Sequence, residues 1–94
     1  MVIKNKKVGN KGMFYVGDDG NIVAELVYSM AAPDKMVIEH TEVDESLKGK
    51  SVGLELVSTA VEYARSHQIK IVPLCPFAKS VIADRPGMQD VLYK

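Results

Sequence analysis

The stretch Met36–Ala64, MVIEHTEVDESLKGKSVGLELVSTAVEYA, changes its hydrophobic pattern once along its length. Its first eight residues are rich in β-forming side chains and predict a strand over Met36–Val43. Its last thirteen carry one apolar stripe at helical spacing, formed by Val52, Leu56, Val57, Ala60, Val61 and Ala64. A strand, a polar loop and an amphipathic α-helix that ends near His67 therefore form the centre of the predicted fold.

Two further strands precede this centre. Residues 12–17, GMFYVG, are rich in β-formers, and residues 22–30 alternate between an apolar face and a more polar one. The DDGN sequence at 18–21 between them is a strong turn signal and predicts a hairpin. A second turn at 32–35 makes the Met36–Val43 strand antiparallel to its predecessor, so the first half of the chain is a β-meander.

A short strand and a second helix follow the central helix. Ile69–Pro73 has the pattern of a buried strand, which after a crossover helix lies parallel to a neighbouring strand. Pro76 suits the first position of a helix over Pro76–Asp84. The order β-β-β-α-β-α predicts an α+β fold with helices packed on a mostly antiparallel sheet. We expect one domain over residues 1–94, with residues 1–10 as a solvated, poorly ordered edge.

The composition is that of an ordinary globular domain, with 94 residues, 47% apolar and 26% charged. One cysteine excludes an intrachain disulfide, and uncharged runs of at most eight residues fall short of the roughly 18 that a membrane span needs. The lysine-rich N-terminus has no apolar run typical of a signal peptide. Twelve basic and twelve acidic residues give no net charge, which argues against nucleic acid. We expect a cytoplasmic protein with neither membrane nor nucleic acid as partner.

The loop before the central helix carries an unusual charge for its position. Lys48 and Lys50, and no acid, stand just before the helix, although acids normally occupy the positive N-terminal end of a helix. Gly49 and Gly53 leave room for the close approach of a ligand. One interpretation is an anion site at this helix start. The other is a surface loop in which Ser51 caps the helix and the lysines are solvated.

Cys75 and His40 are the candidates for catalytic chemistry. Cys75 precedes Pro76 and falls at the N-cap of the second helix, where the helix dipole stabilises a thiolate. The alternative for this residue is a small buried apolar side chain. His40, which shares a face with Met36 and Ile38 if the strand alternates regularly, is either a base for that thiol or a hydrogen-bonded strand residue. We expect no metal site, because there is no CxxC pair and the two histidines are isolated.

Four segments together resemble the GNAT acyltransferases, and more narrowly their small single-domain subfamily with H-T-x-V, R-G-x-G and P-x-C-P-F motifs. The segments are HTEV at His40–Val43, LKGKSVG at Leu47–Gly53, the amphipathic helix, and VPLCPF at Val72–Phe77. The resemblance runs from about Lys11 to Pro86 and so covers most of the chain.

The resemblance implies a use for each segment. Acetyl-CoA is the expected co-substrate, and its pantetheine arm pairs with the backbone of Thr41 and Val43, where the strand splays from its parallel neighbour. The pyrophosphate rests on the loop that contains Lys48, Gly49, Lys50, Ser51, Val52 and Gly53. The cysteine and histidine that face each other beside the thioester in the subfamily correspond to Cys75 and His40.

Two departures from the family pattern lie in the loop. Lys48 replaces an arginine and loses its forked geometry, and Ser51 replaces a glycine, so its Cβ can crowd a pyrophosphate or its hydroxyl can bond to it. The helices and strands that help to build the acceptor site in larger family members have no counterpart in this sequence. We therefore expect that site to be open, or completed by a partner or by a second copy in a homo-oligomer.

The leading hypothesis is an N-acyltransferase that moves an acetyl group from acetyl-CoA to an amine, either directly or through an acetylated Cys75 with His40 as base. A CoA-binding module without catalysis is the alternative. A third possibility is a small interaction protein without a nucleotide site, in which Lys48 and Lys50 are only solvated.

Overall fold

The structure is a computed structural model that describes residues 2–18 and 20–93. One sheet contains, in this spatial order, β1 (Lys4–Val8), β2 (Lys11–Asp18), β3 (Asn21–Ala32), β4 (Lys35–Val43) and β5 (Lys70–Pro73). The helices are α1 (Val52–Ser66) and α2 (Pro76–Ala83), with short 3-10 helices at Glu45–Leu47 and Pro86–Val91. Asp19, which belongs to the predicted hairpin turn, lies outside the described residues, as do Met1 and Lys94.

The predicted mixed fold is confirmed, including the directions of the predicted strands. β2 and β3 form an antiparallel hairpin that closes at Asp18 and Asn21, and β3 pairs antiparallel with β4. β4 and β5 are parallel and are connected through α1. A parallel pair needs a crossover connection, and α1, which packs across the sheet, provides it. The start of α1 therefore lies close to the end of β4.

The first residues form a strand, although the sequence predicts a poorly ordered edge over residues 1–10. Lys4–Val8 pairs antiparallel with β2, and Gly9, with a φ of 62°, lies in the turn between the two strands. All five side chains of β1 are exposed, so the solvated edge is present but the expected disorder of this segment is wrong. Lysines suit such an edge because they discourage pairing with another sheet.

Both helices pack on one face of the sheet and share one apolar core. The predicted stripe of α1 is buried there: Val52, Leu56, Val57, Ala60, Val61 and Ala64. From the sheet, Leu26, Tyr28, Met36 and Ile38 are at most 1% exposed. In the described part of the chain, no helix has the length and apolar character needed to cross a membrane.

A β-bulge in β4 decides which side chains face the helices. Val27 lies opposite His40, while the next residue of β3 lies opposite Ile38, so Glu39 is an extra residue on β4. Beyond the bulge, Thr41 lies opposite a fully buried leucine of β3 and therefore faces the helices. The prediction that His40 shares a face with Ile38 is wrong, because the extra residue shifts the alternation by one.

Candidate active site

The strands β4 and β5 separate before β4 ends. Their parallel pairing stops where Ile38 lies opposite Pro73, five residues short of the end of β4. The next two amides of the chain, those of Leu74 and Cys75, both donate to the Ile38 carbonyl, at 3.0 and 3.1 Å. These bonds turn the chain away from β4 and leave a wedge along residues 39–43.

A cavity of about 570 Å³ lies at this wedge. Its wall contains seven of the eight residues that the family resemblance assigns to acetyl-CoA: Thr41, Val43, Lys48, Gly49, Ser51, Val52 and Gly53. Lys50, the eighth, belongs to the same loop but does not line the cavity. No acidic side chain of the described residues lines it either, so the wall is positively charged.

Five lining residues are missing from the site expected from the sequence: Leu47, Leu54, Phe77, Val81 and Arg85. The last three are spaced by four and form one stripe along α2 and the residues just after it. The sequence already predicts this helix, so the spacing of four could have placed these three residues on one face of it. The stripe adds a second cation, Arg85, to the wall that already contains Lys48.

The start of α1 presents backbone amides at the cavity. Ser51 is in the left-handed region, with φ 60° and ψ 24°, and its side chain makes no capping hydrogen bond. The amide of Glu55 donates to the Ser51 carbonyl at 3.0 Å, so the three amides between these residues precede the helical ladder. The structure thus gives Ser51 no side-chain capping role, and the positive end of the helix borders the cavity.

The two glycines of the loop serve different purposes. Gly49 has a φ of 84°, and a Cβ built there would meet nothing within 4 Å, so glycine permits the turn and leaves open space. A Cβ on Gly53 would lie 2.8 Å from Cζ of Phe77. The space that Gly53 provides is therefore taken by an aromatic ring of α2.

The charge of Lys48 is shared with a nearby acid. Its Nζ lies 3.3 Å from Oε2 of Glu45, and both side chains are exposed. An exposed pair of this kind contributes about 0–1 kcal/mol, so a phosphate group can compete with Glu45 for the lysine.

Replacing Ser51 by glycine is expected to stabilise the fold. A left-handed backbone costs an L-residue about 1–2 kcal/mol, while glycine loses about 0.5–1 kcal/mol more chain entropy on folding. The expected net gain in the free energy of unfolding is about 0.5–1 kcal/mol, measured by urea denaturation. Ser51→Ala keeps the Cβ and removes only the hydroxyl, so a gain as large as that of glycine would contradict the strain argument.

Cys75 is a buried thiol at the start of α2. It occupies the N-cap position, is 5% exposed, and its Sγ lies 3.4 Å from Oγ1 of Thr41. Burial raises the pKa of the thiol, but hydrogen bonding with the Thr41 hydroxyl and with the amides of Ala78 and Phe77 outweighs burial and lowers that pKa below its ordinary value. The thiol thus combines a feature of each of the two alternatives, the burial of an apolar side chain and a helix start that favours its anion.

His40 lies on the opposite face of the sheet from Cys75. Its Nε2 is 3.3 Å from Oε1 of Glu42 and 3.9 Å from Oε2 of Glu25, and the imidazole is half-exposed. The β4 side chain in contact with Cys75 is Thr41, the residue that follows His40. The expected facing pair of His40 and Cys75 is therefore wrong, and the cause is the bulge in β4.

The model of the GCN5-related N-acetyltransferase (GNAT) family matches residues 13–91. The chain belongs to this family. A solution NMR structure of a GCN5-like protein from Staphylococcus aureus is 36% identical with a TM-score of 0.75, and the match covers 96% of this chain and 87% of that one. The predicted membership of the GNAT family is thereby confirmed.

More distant structures share the fold alone. The ribosomal-protein-alanine N-acetyltransferase from Brucella melitensis is 16% identical with a TM-score of 0.63, over 80% of this chain and 62% of that one. A GNAT family acetyltransferase from Elizabethkingia anophelis, solved with acetyl-CoA bound, is 13% identical with a TM-score of 0.60, over 80% and 52%. A comparison with curated proteins finds no match.

Proposed function

We propose that this GNAT protein transfers an acetyl group from acetyl-CoA to the nitrogen of an amine. The observation that carries the proposal is the wedge between β4 and β5, which opens onto a cavity at the start of α1. A splayed strand offers backbone groups to the amides of a pantetheine arm, and a helix start offers N–H groups to a pyrophosphate. The acetyl-CoA bound to the Elizabethkingia relative supports the same co-substrate here.

The cavity wall offers partners for the pantetheine arm and for the phosphates of the coenzyme. We assign the backbone of Thr41 and Val43 to the pantetheine arm and the amides of residues 48–53 to the pyrophosphate. Lys48 and Arg85, the two cations of the wall, balance the phosphate charge. The thioester then lies toward the narrow end of the wedge, near Thr41 and Cys75.

Transfer is direct in this proposal. The neutral amine nitrogen attacks the thioester carbonyl carbon, a C–N bond forms, the C–S bond breaks, and the proton lost from nitrogen passes through water to the CoA sulfur. Backbone amides of β4 along the wedge polarise the carbonyl. Cys75 is buried behind Thr41 and is not acetylated, because His40, its expected base, faces away from it.

Calorimetry with CoA, followed by intact-mass measurement, tests this proposal. We expect CoA to bind, at least one member of a broad amine panel to be acetylated, and the protein alone to gain no acetyl group from acetyl-CoA. The absence of heat at about 1 mM CoA would remove every CoA-dependent function. An acetyl group that persists on Cys75 would contradict direct transfer and support the covalent route.

A CoA-binding module without catalysis is the second candidate, and Ser51 is the observation that favours it. Its Cβ and left-handed backbone stand where the family has a glycine, at the proposed pyrophosphate position. This candidate predicts that CoA binds and that no amine of the panel is acetylated. The two functions therefore differ in the turnover measurement and agree in the calorimetry.

A further inference from the structure

We propose that the sheet carries a binding site for a divalent transition-metal ion, formed by Glu25, His40 and Glu42. The three side chains lie on the outer face, the face of the sheet that points away from α1 and α2. Their donor atoms, one from each residue, all lie within 4.8 Å of one another. The site is on the opposite face from the acetyl-CoA wedge and does not depend on the proposed acetyl transfer.

The histidines are isolated along the chain, and for that reason the sequence predicts no metal site, but the pairing of two strands brings three donors together. Glu25 on β3 lies directly opposite Glu42 on β4. His40 precedes Glu42 by two residues and so projects from the same face, to which the bulge in β4 has shifted it. Because β3 and β4 are hydrogen-bonded neighbours inside the sheet, the spacing of the three positions is set by the backbone.

The distances fit a small divalent ion. Zinc bonds of about 2.0–2.1 Å in a tetrahedral arrangement place neighbouring ligand atoms about 3.4 Å apart. Nε2 of His40 lies 3.3 Å from Oε1 of Glu42 and 3.9 Å from Oε2 of Glu25. Only small side-chain rotations separate this arrangement from three corners of a tetrahedron. The half-exposed imidazole leaves the fourth corner to water.

The charges at this position also favour a cation. Like charges directly opposite each other destabilise an antiparallel pair, and Glu25 and Glu42 occupy such positions. An ion bonded to both carboxylates would relieve their repulsion. The imidazole nitrogen of His40 selects among ions, because zinc, cobalt and nickel accept nitrogen ligands whereas magnesium and calcium prefer oxygen.

Calorimetric titration with Zn²⁺ tests the site. We expect one zinc ion to bind per chain. His40→Ala and Glu42→Gln are each expected to weaken zinc binding by more than roughly tenfold, because mutation of residues that only hydrogen-bond to a metal ligand already lowers metal affinity by about 10–100-fold. Glu39→Gln is the matched control. It removes another carboxylate of β4, one that pairs with Lys11 at 2.9 Å, and is expected to bind zinc like the wild type. Mg²⁺ is expected to give no heat.

Nuclear magnetic resonance of the imidazole nitrogens locates the ion. The chain has two histidines, so Zn²⁺ is expected to shift the signals of His40 and to leave those of His67 unchanged. Circular dichroism checks that each variant is folded. The proposal is overturned by unchanged affinity in either His40→Ala or Glu42→Gln, by a shift of His67 alone, or by no binding up to about 1 mM Zn²⁺.

Discussion

Reversing the charges of Lys48 and Arg85 together is expected to weaken CoA binding by about 100-fold. These residues are the cations of the cavity wall in the described part of the chain, and phosphates are the charged part of CoA. The double substitution Lys48→Glu with Arg85→Glu changes four units of charge. At about 0.5–1 kcal/mol for each exposed charge, the loss is roughly 3 kcal/mol, which corresponds to about two powers of ten in Kd. Calorimetry with CoA at about 0.15 M salt measures it.

The matched control reverses two cations that do not line the cavity. Lys4→Glu with Lys79→Glu gives the same net charge, and Lys79 lies on α2, the helix that precedes Arg85. We expect this control to bind CoA within about threefold of the wild type, because charges beyond the Debye length of about 8 Å are largely screened. A control that loses as much affinity as the cavity variant would show that net charge, and not the cavity, attracts the coenzyme.

The elements that the sequence predicts are those set by local chemistry. The stripe of α1 is a spacing within one segment, and Pro76 at the first position of α2 removes an amide that would have no helical partner. The turn between β2 and β3 depends on four adjacent residues. In each case the residues that determine the structure are neighbours in the chain, so their pattern can be recognised without knowledge of the tertiary structure.

Features that depend on contacts between strands cannot be recognised in this way. The side chains of β1 show no apolar alternation, and the strand exists because β2 offers an edge for it. The bulge at Glu39 places its carboxylate 2.9 Å from Nζ of Lys11 and 2.8 Å from Oγ of Ser29. Lys11 and Ser29 lie on other strands, so the alternation of side chains within β4 does not reveal that Glu39 is an extra residue.

The candidate site shows the same difference between features set by neighbours in the chain and features set by contacts between strands. Its loop is contiguous, so the motif indicates the segment that borders the cavity, with Lys50 as the one predicted loop residue that does not line it. The family pattern gives the identity of His40 and Cys75 but not the face on which each lies. The single-residue shift in β4 therefore brings Thr41 to Cys75 and sends His40 to the outer face.

Replacing Thr41 by phenylalanine is expected to abolish both CoA binding and acetyl transfer in a protein that still folds. Thr41 lines the cavity and touches Cys75, so it stands at the narrow part of the wedge. A phenyl ring there occupies the space that the proposed function assigns to the thioester. We expect kcat/KM to fall by more than about 100-fold, or roughly 3 kcal/mol in transition-state stabilisation. Overpacking costs about 1–3 kcal/mol in a closed core, and less at a half-buried position beside an open cavity.

Val37→Phe is the matched control, because Val37 lies on the same strand but faces outward, between Ser29 and Val72 of the neighbouring strands. It adds a ring to β4 without entering the wedge, so CoA binding and transfer should persist. If Thr41→Phe retained both, the coenzyme would not pass between β4 and β5, and the separation of these strands would only reflect the short length of β5. If Thr41→Phe bound CoA without transfer, the start of α1 would hold the phosphates independently of the thioester. If the coenzyme lies in the wedge, CoA binding and acetyl transfer are both lost in Thr41→Phe and both retained in Val37→Phe.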